Sequence, residues 1–273
     1  MRLLTWNLNG RRLIDGQVEA ICSRTPDIVA LQEVTRSSVL RCRPALVAAG
    51  FPYVLDSFAN STAWEIVGPR RYGLIIASRF ALIAHGSSSL VPWPERLLSA
   101  DVTTPVGPLT VHTTHIPPGS SNGWRKVEML EAVTAVVGAP NPCPQILCGD
   151  FNLPMAETRE GRIVTRAEGV DEASASAPRK RFRGGDGYRW DAAERTIIEG
   201  GPNRALVDAY RALHGYERQE FSWFLKRGQL RIGRRFNHAF CSREIRIVRC
   251  EYLHEVRESG LSDHSALELD FEL

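Results

Sequence analysis

The sequence has no apolar run approaching the roughly 18 residues that a membrane-spanning helix requires. Its first residues place Thr5 and Asn7 where a secretion signal would continue apolar. The chain is therefore expected to stay in the cytoplasm, away from membranes. Cysteine is sparse: Cys22, Cys42, Cys143, Cys148, Cys241 and Cys250 form no C-x-x-C pair and no metal-ligand spacing, which points to reduced, mostly buried thiols. A strong excess of one charge is missing as well, since 34 Lys and Arg stand against 31 Asp and Glu. That balance alone does not announce a polyanion binder. No internal repeat is recognisable. What remains is ordinary globular composition, 43% apolar and 24% charged, over a length of 273 that a single β-rich domain can fill.

The charge that is present gathers locally. Basic residues cluster in Arg179-Lys180-Arg181-Phe182-Arg183 and again in Lys226-Arg227, Arg231 and Arg234-Arg235. Either cluster fits a solvated surface, and either would suit a phosphate-bearing partner.

Short apolar runs bounded by Gly, Pro, Asp or Asn recur at residues 3–8, 28–31, 72–77, 97–102, 109–114, 145–148, 237–241, 245–253 and 265–271, and read as strands. Helical spacing marks 17–23, 38–49, 124–137 and 205–213. In the third of these, Val127, Leu130, Val133, Thr134 and Val137 share a face. Strands outnumber helices, and helices fall singly between strand groups. The expected fold is α+β, a four-layered sandwich of two packed sheets flanked by helices, rather than a doubly wound parallel sheet. Periodicity fades over 157–195, where Gly, Ser, Ala and Arg dominate, so a basic surface insertion is expected there within one domain spanning 1–273.

Polar residues close several of these strands. Asn7-Leu8-Asn9-Gly10 ends the first, and Glu33 ends the second after an apolar stretch. Cys148-Gly149-Asp150-Phe151-Asn152 halts a strand at Gly and presents Asp150 and Asn152 two positions apart, on one side of an extended backbone. Ser262-Asp263-His264 precedes the last strand. Each motif alone fits a turn, a solvent-reaching acid or a loop hydrogen bond. Together they supply what metal-assisted cleavage of a phosphate ester needs. Mg²⁺ takes hard oxygen ligands and keeps several waters, a demand that Glu33 and Asp263 meet. A carboxylate free of metal can deprotonate water, while amide and imidazole donors hold phosphoryl oxygens. Asp150 suits the first role, Asn152 and His264 the second.

In this order, N-L-N-G, L-Q-E-V, G-D-F-N and S-D-H, the chain resembles the endonuclease/exonuclease/phosphatase superfamily, the fold shared by DNase I and exonuclease III. The likeness covers nearly the whole chain. Lesser marks are Gly73-Leu74-Ile75-Ile76-Ala77-Ser78-Arg79, Phe221-Ser222-Trp223 and Arg235-Phe236-Asn237-His238. The layout is most similar to the exonuclease III and AP endonuclease branch. The resemblance implies a DNase I-like four-layered α/β sandwich and Mg²⁺-dependent hydrolysis of a P–O bond, with Mn²⁺ as a substitute, by in-line attack of an activated water. It implies Glu33 as main metal ligand with Asn7 and Asp263 near the metal, Asp150 as base, Asn152 as phosphate or nucleophile contact, and His264 as phosphate-binding imidazole. His115, in Thr113-Thr114-His115-Ile116-Pro117, stands where the family places a catalytic His or Tyr; taken alone it reads as a loop histidine.

One position departs from the pattern. Asn237 stands where members usually carry an Asp that pairs with the last histidine. An amide oxygen can accept an imidazole N–H, but it does not stabilise an imidazolium as an anion would. His264 is therefore expected to protonate less readily than in relatives with Asp, unless His115 supplies the positive charge. His238 reads as a surface histidine.

The shared site fixes the bond type and leaves the substrate open. Basic runs interleaved with Phe182, Tyr188, Trp190 and Trp223 favour nucleic acid, DNA first. Asn9, Arg125, Arg181, Arg183, Trp223 and Arg235 are the expected substrate contacts, on a protein acting as a monomer. Abasic-site repair is one branch of this reading, although His115 replaces the Tyr of that branch. A small-molecule or protein-linked phosphoester and a non-catalytic nucleic-acid-binding module are the alternatives.

Overall fold

The computed structural model describes residues 1–10, 13–86, 88–168 and 177–273. Its first six-stranded sheet runs β17 (Arg246–Leu253), β18 (Ala266–Glu272), β1 (Arg2–Asn7), β2 (Ile28–Val34), β4 (Gly73–Ser78), β3 (Tyr53–Asp56). The second runs β13 (Leu206–Asp208), β16 (Asn237–Ser242), β8 (Gln145–Asp150), β7 (Gly107–His115), β6 (Leu97–Thr104), β5 (Leu82–Ala84). Short two-stranded pieces join β9 (Ala156–Glu157) to β10 (Ile163–Val164), β11 (Arg181–Phe182) to β12 (Gly185–Asp186), and β14 (Trp223–Arg227) to β15 (Leu230–Arg234).

Leu3, Ile28, Ala30 and Ile76 of the first sheet share a core with Ala100, Val111, Ile146 and Ala239 of the second. Their strand neighbours Leu4, Val29, Leu31 and Ile75 turn the other way, against Ile14 and Ile21 of α1 (Ile14–Ser23) and Val39 and Leu46 of α2 (Arg36–Ala48). On the far side Leu147 and Phe240 meet Val127 and Leu130 of α4 (Arg125–Val137) and Trp190 of α5 (Gly187–Ile198). Because helices and a second sheet cover both faces, central strands carry nearly continuous apolar runs. This is the four-layered α+β sandwich expected from the sequence. Three short helices, α3 (Gly119–Asn122), α6 (Ala209–His214) and α7 (Glu255–Glu258), lie in connections. All six cysteines are free thiols, and four are buried. No helix among the described residues is long and apolar enough to cross a membrane.

Two expectations are corrected. The helix read over 205–213 is instead β13 followed by α6, because Asp208 ends the strand and caps the helix, its Oδ1 accepting the N–H groups of Tyr210 at 3.0 Å and Arg211 at 3.1 Å. The fading periodicity over 157–195 conceals α5. Its buried face includes Glu194, which pairs with the buried Lys126 at 2.6 Å and accepts the Trp190 indole N–H at 2.9 Å. A buried face built partly on an ion pair does not read as apolar. Residues 169–176 of that stretch lie outside the described residues.

Strand direction positions the site. β1 and β2 are parallel, as are β7 and β8, while β18 runs antiparallel to β1 and β16 antiparallel to β8. The C-terminal ends of the first four and the N-terminal ends of the last two therefore share one edge of the sandwich.

Candidate active site

That edge collects the polar strand ends. Asn7 closes β1, Glu33 lies one residue from the end of β2, His115 closes β7, Asp150 closes β8 and Asn237 opens β16. Asp150 pairs in register with His115 on one side and Asn237 on the other. Glu33, Asn9 and Asn152 hold left-handed backbone, with φ of 56°, 53° and 53°. At Glu33 the pairing of β2 with β4 shifts between Gln32 and Val34, a bulge that releases the side chain from strand alternation. Gly149 is obligatory before Asp150, because a Cβ there would stand 2.0 Å from the Thr114 carbonyl oxygen.

The Asn7 amide joins the two acids. Its Nδ2 donates to Glu33 Oε1 at 3.1 Å and Asp150 Oδ2 at 2.7 Å, while its Oδ1 accepts the Asn9 N–H at 2.8 Å. Asn7 thus turns its nitrogen, not its oxygen, toward the carboxylates. Asn152 is held on three sides: its N–H donates to Asp150 Oδ1 at 2.9 Å, its Nδ2 to Ile116 O at 2.9 Å, and its carbonyl accepts Lys126 Nζ at 2.9 Å. His264 donates from Nδ1 to Asn237 Oδ1 at 2.8 Å, leaving Nε2 3.8 Å from Asp150 Oδ2. Trp223 gives its indole N–H to Asp263 Oδ2 at 3.1 Å. The buried Oδ1 of Asp263 and Nδ2 of Asn237 have no partner among the described residues.

Burial dominates the electrostatics. It raises the proton affinity of both Glu33 and Asp150, against the hydrogen bonds they receive. It holds His115 well below the ordinary histidine range, aided by the cation of Arg96 beside it. Protonation of His115 is thus disfavoured, against the expectation that it supplies positive charge. That charge belongs to Arg96, whose side chain contacts the His115 ring and which burial lowers only to about 10. Ligand atoms of Glu33, His115 and Asp150 lie within 4.8 Å of one another, a group that can hold a metal ion. Two acids that resist ionisation, Glu33 half-buried and Asp150 buried, together with the orphaned oxygen of Asp263, fit a divalent cation with oxygen ligands.

Above these groups opens a cleft of about 710 Å³, lined by Glu33, His115, Asp150, Asn152, Asp263 and His264 at its floor. Its walls include Arg71, Tyr72, Arg96, Arg166, Arg234, Trp223 and Phe236. Trp223 and Phe236 stack with centroids 5.4 Å apart. Several expected contacts stand elsewhere. Arg235 is buried, donating to Glu157 at 2.6 and 2.7 Å and to Asp208 at 2.6 Å, so it braces the fold and cannot touch substrate. Its neighbour Arg234 lines the cleft instead, since adjacent residues of an extended chain face opposite ways. Arg125 pairs with Glu128 at 2.6 Å outside the cleft lining, and Arg181 is exposed on β11. Arg183 reaches the rim, donating to Ser120 O at 3.2 Å. Asn9 serves the Asn7 turn. Trp190 lies in the core and offers no stacking face. His238 is wholly buried on the central strand β16, stacked on Phe240 and bonded to Leu153 O at 2.9 Å, not a surface histidine. Arg96, Tyr72, Arg71 and Arg166 were not singled out by sequence; Tyr72 alone carried a signal, opening the run 72–77.

A model of the endonuclease/exonuclease/phosphatase family matches residues 4–264. No curated protein matches the sequence. Among solved structures, an AP endonuclease from Archaeoglobus fulgidus superposes with a TM-score of 0.72 at 18% identity, covering 100% of both chains. The 3'-5' exonuclease NExo from Neisseria meningitidis gives 0.71 at 20% identity, again over 100% of both. TDP2 of D. rerio, complexed with single-strand DNA product, gives 0.65 at 19% identity over 100% of this chain and 99% of that one.

Proposed function

We propose that this chain, which belongs to the endonuclease/exonuclease/phosphatase family, is a Mg²⁺-dependent phosphodiesterase acting on nucleic acid, DNA first. The observation that carries the reading is the pair of acids, half-buried Glu33 and buried Asp150, tied by one amide at the floor of a cleft walled by arginines and an aromatic stack. Glu33 and Asp263 would hold the cation, which when bound supplies positive charge against the phosphoryl oxygens. Asn7, through its amide nitrogen, fixes both carboxylates.

Asp150 is the base in this reading. Burial raises its proton affinity, which suits a group that must take a proton from the attacking water. Asn152, immobilised at backbone and side chain, offers its amide to the phosphate or the nucleophile. His264, with Nε2 turned to the Asp150 side of the cleft, donates to a phosphoryl oxygen when protonated. Arg71, Arg166 and Arg234 meet backbone phosphates, and Trp223 presents a ring face to a base or sugar. The DNA complex of the D. rerio protein supports this substrate class.

The test is a cleavage assay with Mg²⁺, then Mn²⁺, on duplex DNA with and without an abasic site, single-stranded DNA, RNA and a model phosphomonoester. Cleavage of any nucleic acid, abolished by EDTA and by Asp150→Asn, is the expected result. Turnover of the monoester alone would move the substrate class to small phosphoesters. Asn237, with its unpartnered amide nitrogen, favours a second reading, a nucleic-acid-binding module without turnover. Binding without cleavage, and without any Mg²⁺ or Mn²⁺ association, would establish it.

A further inference from the structure

We propose that Arg96 is a positioning residue that locks His115 in its Nε2–H tautomer, making the ring an uncharged donor into the cleft and removing it from the ligands of the metal. The sequence gives Arg96 its place: Leu97 pairs with Thr114 across β6 and β7, so Arg96 falls beside His115. Thr114 Oγ1 donates to the Arg96 carbonyl at 2.8 Å, tying the two strands where the side chains meet. One terminal nitrogen of the guanidinium contacts His115 Nδ1 in a buried setting, and the other contacts the carbonyl oxygen of the exposed Pro69.

A guanidinium carries only donors. The Nδ1 atom of His115 must then offer its lone pair, and a neutral imidazole in that state bears its hydrogen on Nε2. Two acids lie on the Nε2 side of the ring, Glu33 Oε1 3.4 Å away and Asp150 Oδ2 3.9 Å. To ligate a metal through Nε2 while Nδ1 accepts from Arg96, the ring would have to shed its last hydrogen and become an imidazolate between two carboxylates. His115 thus stands within ligand reach of Glu33 and Asp150 with a hydrogen, not a lone pair, on the nitrogen nearer to them. With the His115 imidazole excluded, Glu33 and Asp263 would offer a cation oxygen ligands, the kind that Mg²⁺ favours.

This inference rests on the phosphodiesterase reading only in its consequence for metal choice, and the tautomer is measurable without turnover. The experiment is long-range ¹H–¹⁵N correlation spectroscopy on the full chain labelled at its seven histidines, with His115 assigned by His115→Gln. An unprotonated Nδ1 and a protonated Nε2 are expected, unchanged on saturation with Mg²⁺ or Zn²⁺. In Arg96→Met the ring should become a tautomer mixture, and Zn²⁺ affinity should rise about tenfold as the freed imidazole joins the ligands. Arg96→Lys, which keeps a donor, should retain the original pattern. Should Arg96→Met fail to fold, the original chain and Arg96→Lys decide the matter. A proton on Nδ1, or loss of the Nε2 proton on adding metal to the unsubstituted chain, would overturn the assignment, whether or not the chain cleaves nucleic acid.

Discussion

The amide nitrogen of Asn7 donates to Glu33 and Asp150 at once, at 3.1 and 2.7 Å, bridging two acids that burial makes reluctant to ionise. A carboxyl whose folded proton affinity is raised stabilises the fold fully below its unfolded pKa, and that contribution is lost as pH rises through the folded value. Glu33→Gln removes the acid and keeps the shape. In EDTA the variant is expected to melt higher than the original chain, by about 2 °C for about 1 kcal/mol, with the gap widening from pH 5 to pH 8. Mg²⁺ should raise the melting temperature of the original chain only, and cleavage should fall at least about a hundredfold. A variant that melts lower in EDTA and still responds to Mg²⁺ would contradict this.

Asn237 meets His264 as a neutral acceptor at 2.8 Å. Replacing it by a carboxylate favours the protonated ring, which then persists to higher pH. The alkaline limb of the activity profile of Asn237→Asp should move upward. Lower activity at every pH with an unmoved profile would remove this account of the position.

Adjacent arginines should behave oppositely. Arg235 neutralises Asp208 and, together with Arg211, Glu157, and Arg235→Met leaves Asp208 without an arginine and Glu157 with Arg211 alone, a loss of about 3–5 kcal/mol readable by denaturant unfolding. The same cluster sets acid resistance. Its arginines hold Glu157 down to about 2, so its contribution is full above the ordinary carboxylate range and fades as pH falls toward that value. Arg234→Ala, by contrast, should leave unfolding unchanged, weaken DNA binding and reduce the salt slope by about 1. Equal effects of the two substitutions on binding and on stability would show that the division is wrong.

Lys126 and Glu194 form a buried pair at 2.6 Å whose lysine also holds the Asn152 carbonyl. Lys126→Met should cost about 3–5 kcal/mol, because it strands Glu194. Adding Glu194→Gln should restore most of that stability without restoring cleavage, since Asn152 still lacks its brace. Recovery of both together would mean that the pair acts on stability alone.

Much of the candidate site was legible because its signals are local. An apolar run that stops at Asn7, at Glu33 or at Gly149-Asp150 is visible in a few consecutive residues, and so is the Asp263-His264 pair before the last strand. The layered architecture followed from the same runs. Where the signal depended on a distant partner, reading failed. Trp190 looked like a stacking residue and is core, because α5 packs on α4 through an ion pair; His238 looked exposed and is buried on a central strand.

The sequence by itself determined which residues end the strands, and with them the acids and amides that a phosphate site requires. Only the tertiary structure decided how they meet. Asn7 lies 143 positions from Asp150 and reaches it because β1 and β8 end at the same edge of two packed sheets. Register chose Arg234 over Arg235 for the cleft and set Arg96, just before the apolar run 97–102, against His115. The reason is geometric: side-chain chemistry is written residue by residue, but which face a residue presents, and what faces it, is fixed only when strands far apart in sequence pair.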